Sequence, residues 1–235
     1  GVLADTFGYQ ATFYITGALL FLGGLVILFF TKEEFVRPPA GESVSMGSLL
    51  RLATSKQMLP LLLTLLVLQV GPQMINPVIP VFIREMDPGT RAATMSGVAF
   101  GLMGVAAAIS SLAAARIGGR ISLKTILVVS CLGTGLLYLP PVWAGGVAQV
   151  IFFIALTGFF KGGLMASSSA LVGLSASGDQ QGIAYGVAQS ANALGIGLGP
   201  LLGGILAPLI GLRAVFGVAG GLFMMIGVFV YRLLT

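Results

Sequence analysis

The sequence predicts an all-α integral membrane protein with seven transmembrane helices. Three observations predict it. Of 235 residues, 57% are hydrophobic and only 8% are Asp, Glu, Lys or Arg, against about 25% charged in a soluble domain. The apolar residues gather into seven runs, each near the roughly 20 residues that cross a bilayer. They do not alternate with polar residues over segments of roughly 10, as a membrane β-barrel would require. The same composition excludes several chemistries. Zinc centres, Ser-His-Asp triads and Cys-His pairs need a histidine, and there is none. Cys131 is the single cysteine, so a disulfide framework is excluded.

The runs are about 11–30, 58–82, 93–114, 124–143, 147–174, 182–207 and 212–232. The first is apolar up to Lys32. The second carries Gln69, Gln73 and Asn76, then two prolines in Asn76-Pro77-Val-Ile-Pro80, so a broken helix is expected near its end. The third has Gly97, Gly101 and Gly104, a small-residue stripe expected to serve packing. The fourth holds Cys131. The fifth holds Lys161, the only charge well inside a run. The sixth is glycine-rich and carries Tyr185, Gln189 and Asn192. The seventh has no polar stripe before Arg232, as a peripheral span should. Connections are short except residues 31–57, a polar linker with Lys32, Glu33, Glu34, Arg37, Pro38, Pro39, Glu42, Arg51 and Lys56. Its second part, Met46 to Gln57, reads as a short interfacial helix.

The formal charge of +5 does not point to nucleic acid, because the basic residues are spread thinly and sit at the ends of apolar runs. With the linker in the cytoplasm, that side collects Lys32, Arg37, Arg51, Lys56, Arg116, Arg120, Lys124 and Arg232. The other side collects Arg84, Arg91 and Arg213. This bias orients the chain in the cell membrane with the linker inside. No basic n-region or cleavage pattern marks a signal peptide. The chain opens at Gly1 inside a motif-like string, so a longer parent is expected.

An internal repeat sets the architecture. At a constant offset, Gly1, Leu3, Ala4, Gly8, Ala11, Phe13, Gly17, Leu19 and Gly24 match Gly204, Leu206, Ala207, Gly211, Ala214, Phe216, Gly220, Leu222 and Gly227. The first span therefore repeats the last. Five spans and the long linker lie between them, which fits a protein of two six-span halves.

Gly195-Ile-Gly-Leu-Gly199-Pro200-Leu-Leu-Gly203-Gly204 resembles the GxxxGPxxGG antiporter motif of the major facilitator superfamily. In its drug:proton antiporter branch that motif sits in the fifth span, with a copy in the eleventh. The resemblance implies that residues 1–30 close the N-terminal bundle as a periplasmic loop and its last span. Residues 31–57 would be the central linker, and 58–235 the C-terminal six-helix bundle. Gly1 would be the last glycine of the first motif copy. Arg116-Ile-Gly118-Gly-Arg120 resembles the second copy of the superfamily's cytoplasmic loop motif, with Ala115 where the family usually has Asp. Gly1–Gly8 also fits the first copy of that loop motif, but the polar linker after residue 30 and the absence of a basic pair after Gly8 speak against it.

Three sets of residues are candidates for function. Gly195, Gly199 and Gly203 put a smooth stripe on one helix face, and Pro200 permits a bend. With Gly204, they are expected to form a close-packed gating seam. Gln69, Gln73 and Asn76 stand at i, i+4 and i+7, and Tyr185, Gln189 and Asn192 repeat the spacing. Amides facing lipid would be poorly satisfied, so both faces are expected to line a central cavity that contacts substrate. Lys161 is the third, with Thr157 and Ser168 on its face. Three roles stay open for it: binding an anionic substrate group, pairing with a carboxylate of the other half, or reaching to the interface.

Phe152, Phe153, Phe159 and Phe160, with Met74, Met103 and Met165, would suit a re-packing multidrug cavity or simple lipid-facing and core packing. No Asp or Glu lies within a span. A proton-coupled carrier would then hold its titrating carboxylate elsewhere in the parent, or use Lys161. The expectation is a small-molecule transporter, resembling multidrug exporters, with alternating access and a proton gradient as the energy source. It is expected to need no cofactor or metal, and its partners would be the bilayer, a small substrate and the remainder of the same polypeptide. A sugar or metabolite exporter fits the amide faces equally well. A non-transporting receptor is more remote, and so is an intramembrane enzyme using Ser167-Ser168-Ser169 with Lys161 as base.

Overall fold

The computed structural model of the protein describes residues 1–31, 47, 51, 54–55, 58–117, 120–175 and 181–234. Most of the expected linker, including most of the Met46–Gln57 stretch expected to be helical, lies outside the described residues, as do Gly118 and Asp179. The described residues form α1 (Val2–Phe30), α2 (Met58–Ile75), α3 (Val78–Met86), α4 (Ala92–Ile117), α5 (Leu123–Tyr138), a 3₁₀ turn (Pro140–Trp143), α6 (Val147–Leu174), α7 (Gln181–Ile210) and α8 (Leu212–Leu234). There is no strand among them. Taking α2 with α3, and α5 with its 3₁₀ turn, seven helices are long and apolar enough to cross a membrane.

Local sequence explains where these helices start and stop. The expected break falls at Asn76-Pro77, between α2 and α3, and Pro80 sits in the first turn of α3, where its missing N–H costs nothing. Ser122 caps α5 by accepting a hydrogen bond from the Thr125 backbone N–H at 3.2 Å. Pro140 and Pro141 follow α5 directly and divert the chain into the 3₁₀ turn.

The repeat has a backbone signature. Among the described residues only Gly8 (φ 82°) and Gly211 (φ 88°) adopt positive φ, a region that glycine enters without steric cost. They are equivalent positions of the repeat. Gly211 is the corner between α7 and α8. Gly8 is the same corner inside α1, where the helix breaks. Residues 2–7 are therefore helical and match the last turns of α7, rather than forming the expected loop. The span proper begins after Gly8.

Helix association in lipid gains little from hydrophobicity, so close backbone approach and interhelical hydrogen bonds must supply it. Glycines do this in three pairs of helices. In the α2–α7 pair, a Cβ on Gly195 would stand 2.6 Å from the Leu66 carbonyl oxygen, and one on Gly199 would stand 2.9 Å from that of Val70. One on Gly203 would strike the Met74 carbonyl. Three glycines one turn apart thus face three carbonyls one turn apart. In the α4–α6 pair, Gly158 lies against the Met103 carbonyl oxygen and Gly162 against that of Ala107, and the Ser110 hydroxyl donates to the Phe159 carbonyl. In the α5–α8 pair, a Cβ on either Gly135 or Gly220 would stand 2.9 Å from the other's carbonyl oxygen.

Around the bundle the helices run α4, α6, α5, α8, α2, α7. A large apolar core joins α2, α3, α5, α6 and α8 through Met74, Phe82, Leu127, Ile154, Phe216 and Phe223. A smaller one joins α2, α6 and α7 through Met58, Leu65, Val172, Ala184 and Ala188. At the end opposite the linker, the Arg213 guanidinium donates to the carbonyls of Val142 (3.0 Å) and Ala144 (2.9 Å), and lies 5.3 Å over the Phe82 ring. This fastens α8, the 3₁₀ turn and α3. At the same end Asp5 reaches α4. Its Oδ2 accepts from the Thr94 backbone N–H at 2.7 Å and from Thr94 Oγ1 at 2.6 Å, so a carboxylate of α1 caps the N-terminus of α4. The rest of α1 has no buried residue.

Three expectations need correction. Gly204 meets nothing within 4 Å and lies off the seam, because it is one residue out of the four-residue register. Pro200 points to the exposed side of a helix that continues through it without a break. Gly101 and Gly104 also meet nothing, and Gly97 touches only Gly1. The α4 glycines face outward, and α6 supplies the glycines of that pair, against Ala106, Ala107 and Ser110 of α4. Of the loop motif, Arg116 ends α4 and Arg120 lies in an exposed turn.

Candidate functional site

Between α2, α6 and α7 lies a cavity of about 330 Å³. Each polar face enters it by helical periodicity. From α2 come Gln69, Gln73 and Asn76, from α7 Tyr185, Gln189 and Asn192, and from α6 Lys161, Ser168 and Ser169. All seven residues singled out as cavity lining meet here. The α2–α7 glycine seam places them. It fixes the two helices in one register at near backbone contact, so the amides beside the seam share one space.

Hydrogen bonds order part of this set. Asn76 Nδ2 donates to Gln73 Oε1 at 2.6 Å, and Asn192 Nδ2 reaches Gln189 Oε1 at 3.5 Å. The Tyr185 hydroxyl donates to the Ser169 carbonyl at 3.1 Å, tying α7 to α6. Gln189 and Ser169 are exposed, and Met165 is 70% exposed. The cavity is therefore open on that side. Its floor is apolar: Leu65 and Val172 from the smaller core, Leu68, Leu164 and Phe223 from the larger. An apolar floor under convergent amides and hydroxyls suits a small amphipathic ligand.

Lys161 is the fifteenth of the 28 residues of α6, near the middle of the span. Its Nζ donates to Met103 Sδ at 3.4 Å, and no carboxylate contacts it among the described residues. The lining, among the described residues, holds this one cation and no acid.

Sequence reasoning missed Phe223, because a helix without a polar stripe reads as peripheral; α8 nonetheless presents this one ring to the cavity floor. Pro72 and Val172 carry no signal of their own. Other candidates fall elsewhere. Thr157 is buried and donates to the Ile154 carbonyl at 2.6 Å. Met74 is fully buried in the core. None of the four α6 phenylalanines lines the cavity. Phe152 and Phe153 pack edge to face at 5.4 Å, and Phe152 and Phe159 face outward. The Ser167 and Ser168 hydroxyls donate to backbone carbonyls of α6.

The family profile described as Major Facilitator Superfamily matches residues 1–148 and 92–235. An uncharacterized MFS-type transporter, YuxJ, of Bacillus subtilis is 29% identical over 226 residues, covering 95% of this chain and 58% of that protein. A multi-drug resistance efflux pump PmrA homolog of Lactococcus lactis is 31% identical over 91% of this chain and 53% of its own length. A multidrug resistance protein MdtG of Citrobacter koseri is 30% identical over 94% of this chain and 55% of its own length. The chain spans about half the length of these relatives.

Proposed function

This chain belongs to the Major Facilitator Superfamily, and from that premise we propose that it is the C-terminal half, with the last span of the N-terminal half, of a transporter exporting small drug-like molecules. It is a multi-pass membrane protein, and its relatives include proteins named for multidrug resistance and efflux. The observation that carries the proposal is the convergence of nine polar residues from three helices on one mid-span cavity with an open side. In the proposed mechanism the N-terminal half faces that open side and completes the site. The two halves then rock about it.

The contact of Asp5 with Thr94 supports this geometry. It joins the N-terminal half to the C-terminal bundle at the end opposite the linker, which the charge bias places outside the cell. In this reading the contact holds the two halves together at the outer end, and opening the cavity outward breaks it. Coupling to protons needs a titrating group. The cavity wall has no carboxylate among the described residues, so in this reading the coupling acid belongs to the N-terminal half.

The test is flux by the full-length polypeptide in liposomes carrying a pH gradient. The proposal expects accumulation of at least one amphipathic dye from a panel of anionic, uncharged and cationic members (8-anilinonaphthalene-1-sulfonate, Nile red, rhodamine 6G) against its gradient, abolished by a protonophore. Glucose flux without dye flux would favour the metabolite reading, and downhill flux indifferent to the protonophore would remove proton antiport.

A further inference from the structure

Lys161 sets the charge preference of the cavity: we propose that its substrates carry an anionic group, sulfonate- or carboxylate-like, which the Lys161 ammonium binds while the aromatic or aliphatic body lies on the apolar floor. This rests on the reading of the cavity as the substrate site.

Three observations lead to it. First, an ammonium has three strong donors and no acceptor, yet among the described residues Lys161 Nζ has only the thioether of Met103 as a partner. A thioether is a weak acceptor, so the described residues leave most of the ammonium's donor capacity to whatever occupies the cavity. Second, Lys161 lines the cavity, and the packing of its helix on α4 is made by Gly158 and Gly162, with the Met103 thioether the one α4 group its ammonium touches. Third, the rest of the described lining contributes amides, hydroxyls and apolar groups but no carboxylate. A cationic substrate would meet a like charge in a low-dielectric pocket and find no counter-ion on this wall. An anion would meet one cation, with the amides of Gln69, Gln73 and Gln189 available for its remaining oxygens. The floor of Leu65, Leu68, Leu164 and Phe223 lies beside this polar rim, so one amphipathic anion contacts both.

The test uses a matched pair of probes, naphthalene-2-sulfonate and the uncharged naphthalene-2-sulfonamide, in equilibrium binding to the purified full-length polypeptide in lipid nanodiscs. The wild type is expected to bind the sulfonate about tenfold tighter than the sulfonamide. Lys161→Gln should remove that preference by weakening the sulfonate alone, and Lys161→Arg should keep it. The wild-type ratio needs no variant, so it decides even if Lys161→Gln fails to fold. Equal wild-type affinities, or a preference that survives in Lys161→Gln, would overturn the proposal. So would Lys161→Gln weakening both probes equally, which would assign the lysine to a pair within the polypeptide. Sulfonamide binding that responds to Gln73→Ala, with no charge preference, would sink this proposal and leave the cavity standing. Binding of neither probe, together with an unchanged flux profile in Gln73→Ala, would remove the cavity reading itself.

Discussion

Gly203→Ala will lower stability by about 1–3 kcal/mol, the usual cost of overpacking a tight contact, while Gly204→Ala will be neutral or slightly stabilising. The two residues are neighbours in one helix and chemically identical, so the pair isolates position. At Gly203 the new methyl strikes the Met74 carbonyl oxygen, an atom of the α2 backbone that cannot rotate away. The helices must part, and with them the register that brings the α2 and α7 amides into one cavity. At Gly204 the methyl enters open space, and alanine gains up to about 1 kcal/mol over glycine in helix propensity. In thermal unfolding of the detergent-solubilised full-length protein, with about 2–4 °C per kcal/mol for a domain of this size, Gly203→Ala should melt several degrees lower. Equal melting of the two variants would mean that α2 and α7 are not in the described contact. Gly199→Ala should behave like Gly203→Ala.

Gln73→Ala and Gln189→Ala will each change relative flux between substrates by about tenfold with folding preserved. Both amides lie in the cavity wall; Gln189 is off the glycine seam, and Gln73 meets Gly199 only through its backbone and Cβ, which alanine keeps. Truncation leaves a substrate polar group without its partner in a water-poor site, a loss of about 1–3 kcal/mol, and every 1.4 kcal/mol is about tenfold. Substrates that never used the amide are unaffected, so the ratio moves rather than the overall rate. The check is a competition flux assay with expression and melting temperature measured in parallel. Wild-type ratios in both variants would detach these residues from substrate.

Much of this was legible in the sequence because membrane helices obey two strong constraints. A span must be apolar over about 20 residues, which marked seven spans. A polar side chain inside it must turn away from lipid, which marked the faces Gln69-Gln73-Asn76 and Tyr185-Gln189-Asn192. The repeat between residues 1–24 and 204–227 was also legible, and it returns as the positive-φ corners at Gly8 and Gly211. What it did not reveal was that residues 2–7 are helical. A glycine corner and a loop look alike in an apolar string until the backbone angles are known.

Helix pairing was not legible. Gly97, Gly101 and Gly104 have the same four- and three-residue spacing as a packing stripe, yet two of them meet nothing, while Gly158 and Gly162 make the contact with α4. A glycine stripe states that a backbone can approach, not that one does. Phe223 was invisible for the converse reason: a buried ring facing a cavity floor has the same periodicity as one facing a neighbouring helix. Lys161 was legible as an intramembrane charge, but its partner was not, because partners come from other helices.

The most direct measurement is substrate protection of a single reactive thiol introduced by Gln189→Cys, in the full-length polypeptide with its native cysteines, including Cys131, replaced. A maleimide would be added with and without saturating concentrations of the transported compound. The account predicts that substrate slows labelling of the Gln189→Cys variant severalfold. It predicts no change in a Gly89→Cys control, whose thiol sits in the turn after α3. Equal labelling of the Gln189→Cys variant with and without substrate, in protein that still transports, would contradict the placement of the substrate between α2, α6 and α7.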